Sequence, residues 1–183
     1  MSITFLIILI IFFGIIFLFS SKTLSPIPYF PSNKKDIPLI IKAFNLKNNQ
    51  VIFDLGAGDG IVIFKAAKAA FEKNLNTYFF AVEINPVLLL IMHIKRFFHP
   101  NKKNIKIIRN DIFKMNFNSL TRKHFNSLTF YLYVSPWYIE KIIKNLKLKT
   151  KNFSVISYFY PLPKIKPKKI FKGVNKIYKY YLS

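Results

Sequence analysis

A short apolar run, Val51-Ile52-Phe53-Asp54-Leu55, stops at Gly56-Ala57-Gly58-Asp59-Gly60 and gives way to a helical pattern over Ile61 to Lys73. A buried strand that ends in glycines and feeds a helix is the start of a β-α-β unit, which needs a sheet with helices packed on it. Strand-like runs recur at Thr77 to Val82, Ile105 to Arg109, Leu128 to Val134 and Phe153 to Phe159. Helical stretches at Pro86 to Phe98 and Pro136 to Leu146, with Ile61 to Lys73, lie between several of them, and Asp36 and Pro38 mark the start of a helix at Ile37 to Phe44 ahead of the first strand. This alternation predicts an α/β fold with a parallel sheet covered on both faces. At the end of the chain, Lys169 to Lys172 and Lys176 to Tyr181 flank Gly173-Val174-Asn175, which reads as a β-hairpin.

Asp36, Asp54, Asp59, Glu72, Glu83, Asp111 and Glu140 are the only acids in the chain, and four of them fall at strand ends. Asp54 closes the first strand, Asp59 sits in the glycine loop, and Glu83 and Asp111 follow the second and third strands. The carboxyl ends of parallel strands line one crevice, so these groups share a ligand site, and together they repel unless a cation or several donors occupy it. Gly56, Gly58 and Gly60 let the backbone turn sharply and approach a ligand closely. A carboxylate after the second strand accepts from both ribose hydroxyls, which suits Glu83. Asp111 accepts from an adenine amine, with Ile84 and Ile112 as apolar covers for the ring. The ligand outlined is an adenosine. A dinucleotide fingerprint requires G-x-G-x-x-G, yet its third glycine position is Ile61, and no G-x-x-x-x-G-K-[ST] phosphate loop is present.

Composition narrows the rest. With no cysteine, a disulfide framework, a thiolate metal site and a cysteine nucleophile are excluded. His93, His99 and His124 show no metal-ligand spacing, and no metal is expected. Lys and Arg number 29 against 7 Asp and Glu, a net charge of +22, which is compatible with nucleic acid or an anionic membrane as partner and equally with an A+T-rich coding sequence. Ile3 to Phe19 is interrupted only by Thr4 and Gly14, and the first charge is Lys22. About twenty such residues span about 30 Å of hydrocarbon, which predicts a retained transmembrane anchor at 1–21 rather than a cleaved signal. Lys22, Lys34 and Lys35 follow it, so the positive-inside rule predicts a domain facing the cytoplasm. Pro26, Pro28 and Pro31 mark an extended connection at 22–35, and the remaining 36–183 suits one domain.

The Val51 to Gly60 segment, Ala81-Val82-Glu83-Ile84-Asn85-Pro86 and Asn110-Asp111-Ile112 resemble the first three motifs of class I S-adenosylmethionine-dependent methyltransferases. Pro28 to Ser32, Tyr133 to Pro136 and Ser157 to Pro163 are similar to the narrower family of archaeal broad-specificity and mitochondrial membrane-anchored protein lysine methyltransferases. Ile61 and Lys164-Ile165-Lys166 depart from that family, which often has a basic residue after the glycine loop and a Trp after the last proline motif.

The resemblance implies a Rossmann-like, seven-stranded, mostly parallel sheet ending in an antiparallel hairpin. It implies that Asp54, Gly56, Ala57, Gly58, Asp59 and Gly60 hold the methionine end of S-adenosylmethionine. Glu83 takes the ribose, Asn110, Asp111 and Ile112 take the adenine, and Ile84 and Asn85 belong to the same cofactor site. Tyr29, Tyr133 and Pro136 frame the reacting end. The implied substrate is a lysine on a protein, most readily one at the bilayer in which residues 3–20 sit. Ser135-Pro136-Trp137-Tyr138 lies where adenine-N6 methyltransferases carry a D/N-P-P-Y motif, so rRNA or DNA is the alternative substrate.

Overall fold

The computed structural model describes residues 2–21, 27–115, 117, 125–149 and 152–182. Lys22, Pro26 and His124 lie outside the described residues. The helices are α1 (Ile3–Ser20), α2 (Ile37–Phe44), α3 (Ile61–Glu72), α4 (Pro86–Phe97) and α5 (Pro136–Lys149). The strands are β1 (Gln50–Leu55), β2 (Tyr78–Glu83), β3 (Ile105–Arg109), β4 (Ser127–Leu132), β5 (Phe153–Tyr158), β6 (Lys169–Lys172) and β7 (Lys176–Leu182). They form one seven-stranded sheet in the order β3-β2-β1-β4-β5-β7-β6. The first five pair in parallel, and β7 is antiparallel to both β5 and β6, as the alternation and the terminal hairpin predict.

β1 is buried at every residue, as a central parallel strand must be. Its side chains alternate between two cores: Ile52 packs with Ile40, Ile63 and Ala67 of α2 and α3, while Val51 and Phe53 pack with Phe130, Ile139 and Ile142 on the α5 side. Phe53 sits between Phe80 and Phe130, stacked at 4.7 and 5.3 Å between ring centroids. Strand order reverses between β1 and β4, and there Asp54 lies opposite Tyr131 in the ladder. This is the switch point at which open α/β sheets bind ligands.

α1 stands outside this body with no residue buried, and it is long and apolar enough to cross a membrane by length and composition. Its end reaches the sheet, where Asn85 Nδ2 donates to the Leu18 carbonyl at 3.2 Å.

Asp36 does more than begin a helix. Its side chain does not cap α2. It is 1% exposed and accepts from Val174 N (2.7 Å), Asn175 N (2.9 Å) and Tyr158 Oη (2.8 Å), so it pins the β6–β7 turn to the start of α2. Burial opposes its ionisation, but the donors from Asn175, Tyr158 and Val174 prevail and hold its pKa below the ordinary carboxylate value. A carboxylate depressed in the folded state stabilises fully above its unfolded pKa and loses that contribution as pH falls through the folded value. Asp36→Ala should lower the unfolding free energy by about 3 kcal/mol at neutral pH. Urea unfolding followed by far-ultraviolet circular dichroism in mild detergent checks this, and Asp36→Asn should flatten the loss of stability on acidification below about pH 4.

Candidate active site

The turn after β1 carries three glycines at positive φ: Gly56 (81°), Gly58 (58°) and Gly60 (75°). At Gly58 a second constraint adds to the backbone one, because a Cβ there would collide with the Tyr29 ring. Gly56 N and Ala57 N both donate to the Val82 carbonyl at 2.9 Å, which fastens the turn to the end of β2. Glu83, the last residue of β2, is buried, and its carboxylate accepts from Gly58 N (2.9 Å), Ile84 N (2.8 Å) and Asn85 N (2.9 Å). These backbone donors fix both carboxylate oxygens before any ligand arrives. Two oxygens offer about four acceptor positions, so one remains for a further donor.

Asp54, Asp59 and Glu83 come together as expected. Asp54 is buried, and desolvation, followed by the Glu83 and Asp59 carboxylates, raises its pKa well above the ordinary value. Asp59 has its own cation: Lys95 Nζ lies 2.6 Å from Oδ2 and also donates to the Asp59 carbonyl at 2.9 Å. That lysine reaches over from α4, and local sequence gives no signal of it.

Tyr29 is more deeply involved than a residue framing a mouth. Its ring lies on Gly58; burial, then the Asp59 carboxylate and Glu83, push its pKa up to about 12. The ring divides the crevice in two. One space, about 20 Å³, is lined by Tyr29, Ser32, Asp54, Gly56 to Asp59, Tyr131 and Tyr133 among others. The other, about 40 Å³, is lined by Pro28, Tyr29, Gly56, Gly58, Glu83, Leu88, Tyr133 and Val134 among others. With Tyr29 in this position both lie far below the range of ligand pockets, about 300 to 1,000 Å³, so its ring fills much of the crevice.

The remaining expected residues line neither space. Gly60 caps α3 under Phe64 and Met92. Asn85 caps α4, its Oδ1 accepting from Val87 N at 2.9 Å. Ile84 is half-buried, and Asn110 N donates to the Glu83 carbonyl at 3.1 Å. Asp111 accepts from Phe113 N at 2.9 Å in a local turn, and Ile112 packs into the core on the α5 side. Pro136 opens α5 exposed and lines neither space.

Sequence reading missed Tyr131 and Ser32. Tyr131 Oη and Ser32 Oγ are 2.8 Å apart beside Asp54, and burial holds the Tyr131 phenol well above its ordinary pKa. Burial, then Tyr160, raises Tyr133 as well. All three tyrosines stay neutral near pH 7 and act as walls and donors, not as bases. The one available signal was the alternation of β4, which turns Tyr131 to the same face as Asp54, its partner in the ladder. His99 packs on Phe64, and among the described residues no group of three His, Asp or Glu gathers in a metal-binding arrangement.

The family model of ribosomal RNA adenine dimethylases matches residues 29–157, which includes every residue lining the first space. Among solved structures, the chain is similar to an RNA methyltransferase from Salinibacter ruber in complex with S-adenosyl-L-homocysteine, at 17% identity and a TM-score of 0.69, covering 84% of this chain and 94% of that one. It is also similar to a SAM-dependent methyltransferase from Geobacter sulfurreducens (11%, 0.52, covering 73% of this chain and 52% of that one) and to the 23S rRNA methyltransferase ErmE (16%, 0.52, 71% and 48%). The chain spans about half the length of these two. At such identities the structural likeness is one of fold. No curated protein sequence matches the chain. The class I part of the sequence resemblance therefore stands, whereas its narrower branch is corrected: the matching family is named for RNA adenine, not for protein lysine. The chain belongs to the ribosomal RNA adenine dimethylase family, whose members are S-adenosylmethionine-dependent methyltransferases.

Proposed function

We propose that the chain transfers a methyl group from S-adenosylmethionine to the N6 amine of an adenine in RNA. The observation that carries the substrate is Trp137, the sole tryptophan, 77% exposed in the first turn of α5, close after the site residues Tyr133 and Val134. An exposed indole at that point offers a stacking face to an unpaired base. Family membership and the net charge of +22 support the same substrate class.

The donor set fits the cofactor. Glu83 has acceptor capacity left for ribose hydroxyls, the glycine turn leaves room for backbone approach, and Asp54 offers a buried carboxylate to an ammonium group. When bound, S-adenosylmethionine supplies an electrophilic methyl on a sulfonium. The chain's own work is alignment and exclusion of water, which displacement at such a methyl mainly requires. Ser135 and the carbonyls of its turn accept from the adenine amine and hold it in place.

Transfer to a lysine amine is the second reading, favoured by Tyr29 and Tyr133, whose rings bound both spaces and desolvate an amine that must lose its proton. In either case α1 is read as a membrane anchor with the domain on the cytoplasmic side, supported by its length, its apolarity and the charges that follow it.

Two outcomes follow for the cofactor. Ionised Asp54 costs stability because its folded pKa is raised, and a bound ammonium removes that cost. Affinity for S-adenosylhomocysteine should therefore rise with pH through the raised pKa, and Asp54→Asn should abolish the dependence, as fluorescence-polarisation competition across pH 5 to 8 would show. Gly58→Ala forces Tyr29 aside and strains a positive φ, and should weaken binding at least about tenfold in the same assay.

The substrate is tested by incubating the full chain with radiolabelled S-adenosylmethionine, host RNA and host membranes. Label should enter nuclease-sensitive material as N6-methyladenine, and Trp137→Ala should lower kcat/KM for RNA by about tenfold. Nuclease-resistant label on protein, indifferent to Trp137→Ala, would establish the lysine reading instead.

A further inference from the structure

α4 is apolar on the wrong side as well as the right one. Leu88, Leu89 and Met92 face the core. On the opposite side Leu90 (62%), Ile94 (55%), Phe97 (67%) and Phe98 (79%) are all exposed. At about 100° per residue these four positions form one stripe about 100° wide. The other sheet-covering helices differ: α3 turns Lys65, Lys68 and Glu72 outward, and α5 turns Glu140, Lys141 and Lys144 outward. A contiguous exposed apolar stripe of this kind marks a face that protein or lipid covers.

Two observations identify the occupant. The first is continuity with α1. Asn85, which caps the N-terminus of α4, also donates to Leu18 near the end of α1, so the helix that bears the stripe starts where a span-length apolar helix ends. The second is charge. Lys102 Nζ lies 5.5 Å from the Phe97 ring centroid and donates to the Phe97 carbonyl, and Lys103 follows it, so cations rim the aromatic end of the stripe as they do on interfacial helices. We propose that the outer face of α4 lies in the headgroup and acyl boundary of an anionic bilayer, beside the point where α1 leaves it. The inference rests on the anchor reading of α1 and is independent of the methyl acceptor. It has a consequence for the site: Asn85 N also donates to Glu83, so the ribose end of the crevice sits one residue from the membrane-docked helix.

The absence of cysteine makes the test clean, since single cysteines carry a nitroxide without further changes. Ile10→Cys, Phe97→Cys and Glu140→Cys, all at exposed positions, are made in the full chain and reconstituted in vesicles of phosphatidylcholine and phosphatidylglycerol. The Phe97 label should collide with oxygen in preference to an aqueous nickel chelate, as the Ile10 label does, while the Glu140 label shows the reverse. An aqueous Ile10 label overturns the anchor and the docked face together. A lipid-facing Ile10 label beside an aqueous Phe97 label overturns the docked face alone. A Phe97 label shielded from both reagents means that a protein, not lipid, covers the stripe, and this too overturns the proposal.

Discussion

Three carboxylates held together in a chain of net charge +22 are the constraint on which the rest depends. Asp54, Asp59 and Glu83 repel one another, and desolvation of Asp54 makes the arrangement costlier still. Backbone N–H groups of the glycine turn and of the residues after β2 hold Glu83, and Lys95 neutralises Asp59 from α4. Asp54 has no cation beside it among these contacts. In the proposed reading, a cofactor that brings an ammonium group and ribose hydroxyls supplies donors to Asp54 and Glu83.

The glycine turn works in this frame because the sheet behind it is stiff. β1 lies between β2 and β4 with both faces packed, and the stacked Phe80, Phe53 and Phe130 tie the three strands together beneath the site. On the far side, Asp36 and Tyr158 join α2, β5 and the β6–β7 turn through one buried hydrogen-bonded node. Asn33 N donates to Tyr158 as well, and Ser32 meets Tyr131, so the segment carrying Tyr29 is anchored at its C-terminal end by side chains of β4 and β5. Tyr29 is thereby delivered onto Gly58, and the crevice takes its divided shape from a residue far outside the sheet.

Much of this was legible in the sequence. Strand and helix existence followed from period and from glycine and proline punctuation: α2, β3 and β6 were read over their observed residues, and the other boundaries shifted by at most a few positions. The acids at strand ends named the crevice, because carboxyl ends of parallel strands share one edge. Contacts between distant residues were not legible. Tyr131 with Ser32 spans 99 residues and Asp36 with Asn175 spans 139, and no local pattern encodes either. The outward stripe of α4 was hidden for a different reason: apolar residues occupy both faces of this helix, so their spacing alone does not say which face is the core. The lysine expectation followed proline and tyrosine motifs at the rim, whereas the family match spans residues 29–157 and names RNA adenine.

The central claim is that the strand-end carboxylates form an adenosine-cofactor site. Titration calorimetry of S-adenosylhomocysteine into the full chain and into Glu83→Ala tests it most directly. The account predicts one site per chain, with affinity reduced at least about tenfold by the substitution while circular dichroism is unchanged. Equal affinity in the two proteins, or no binding by the native chain, would contradict it.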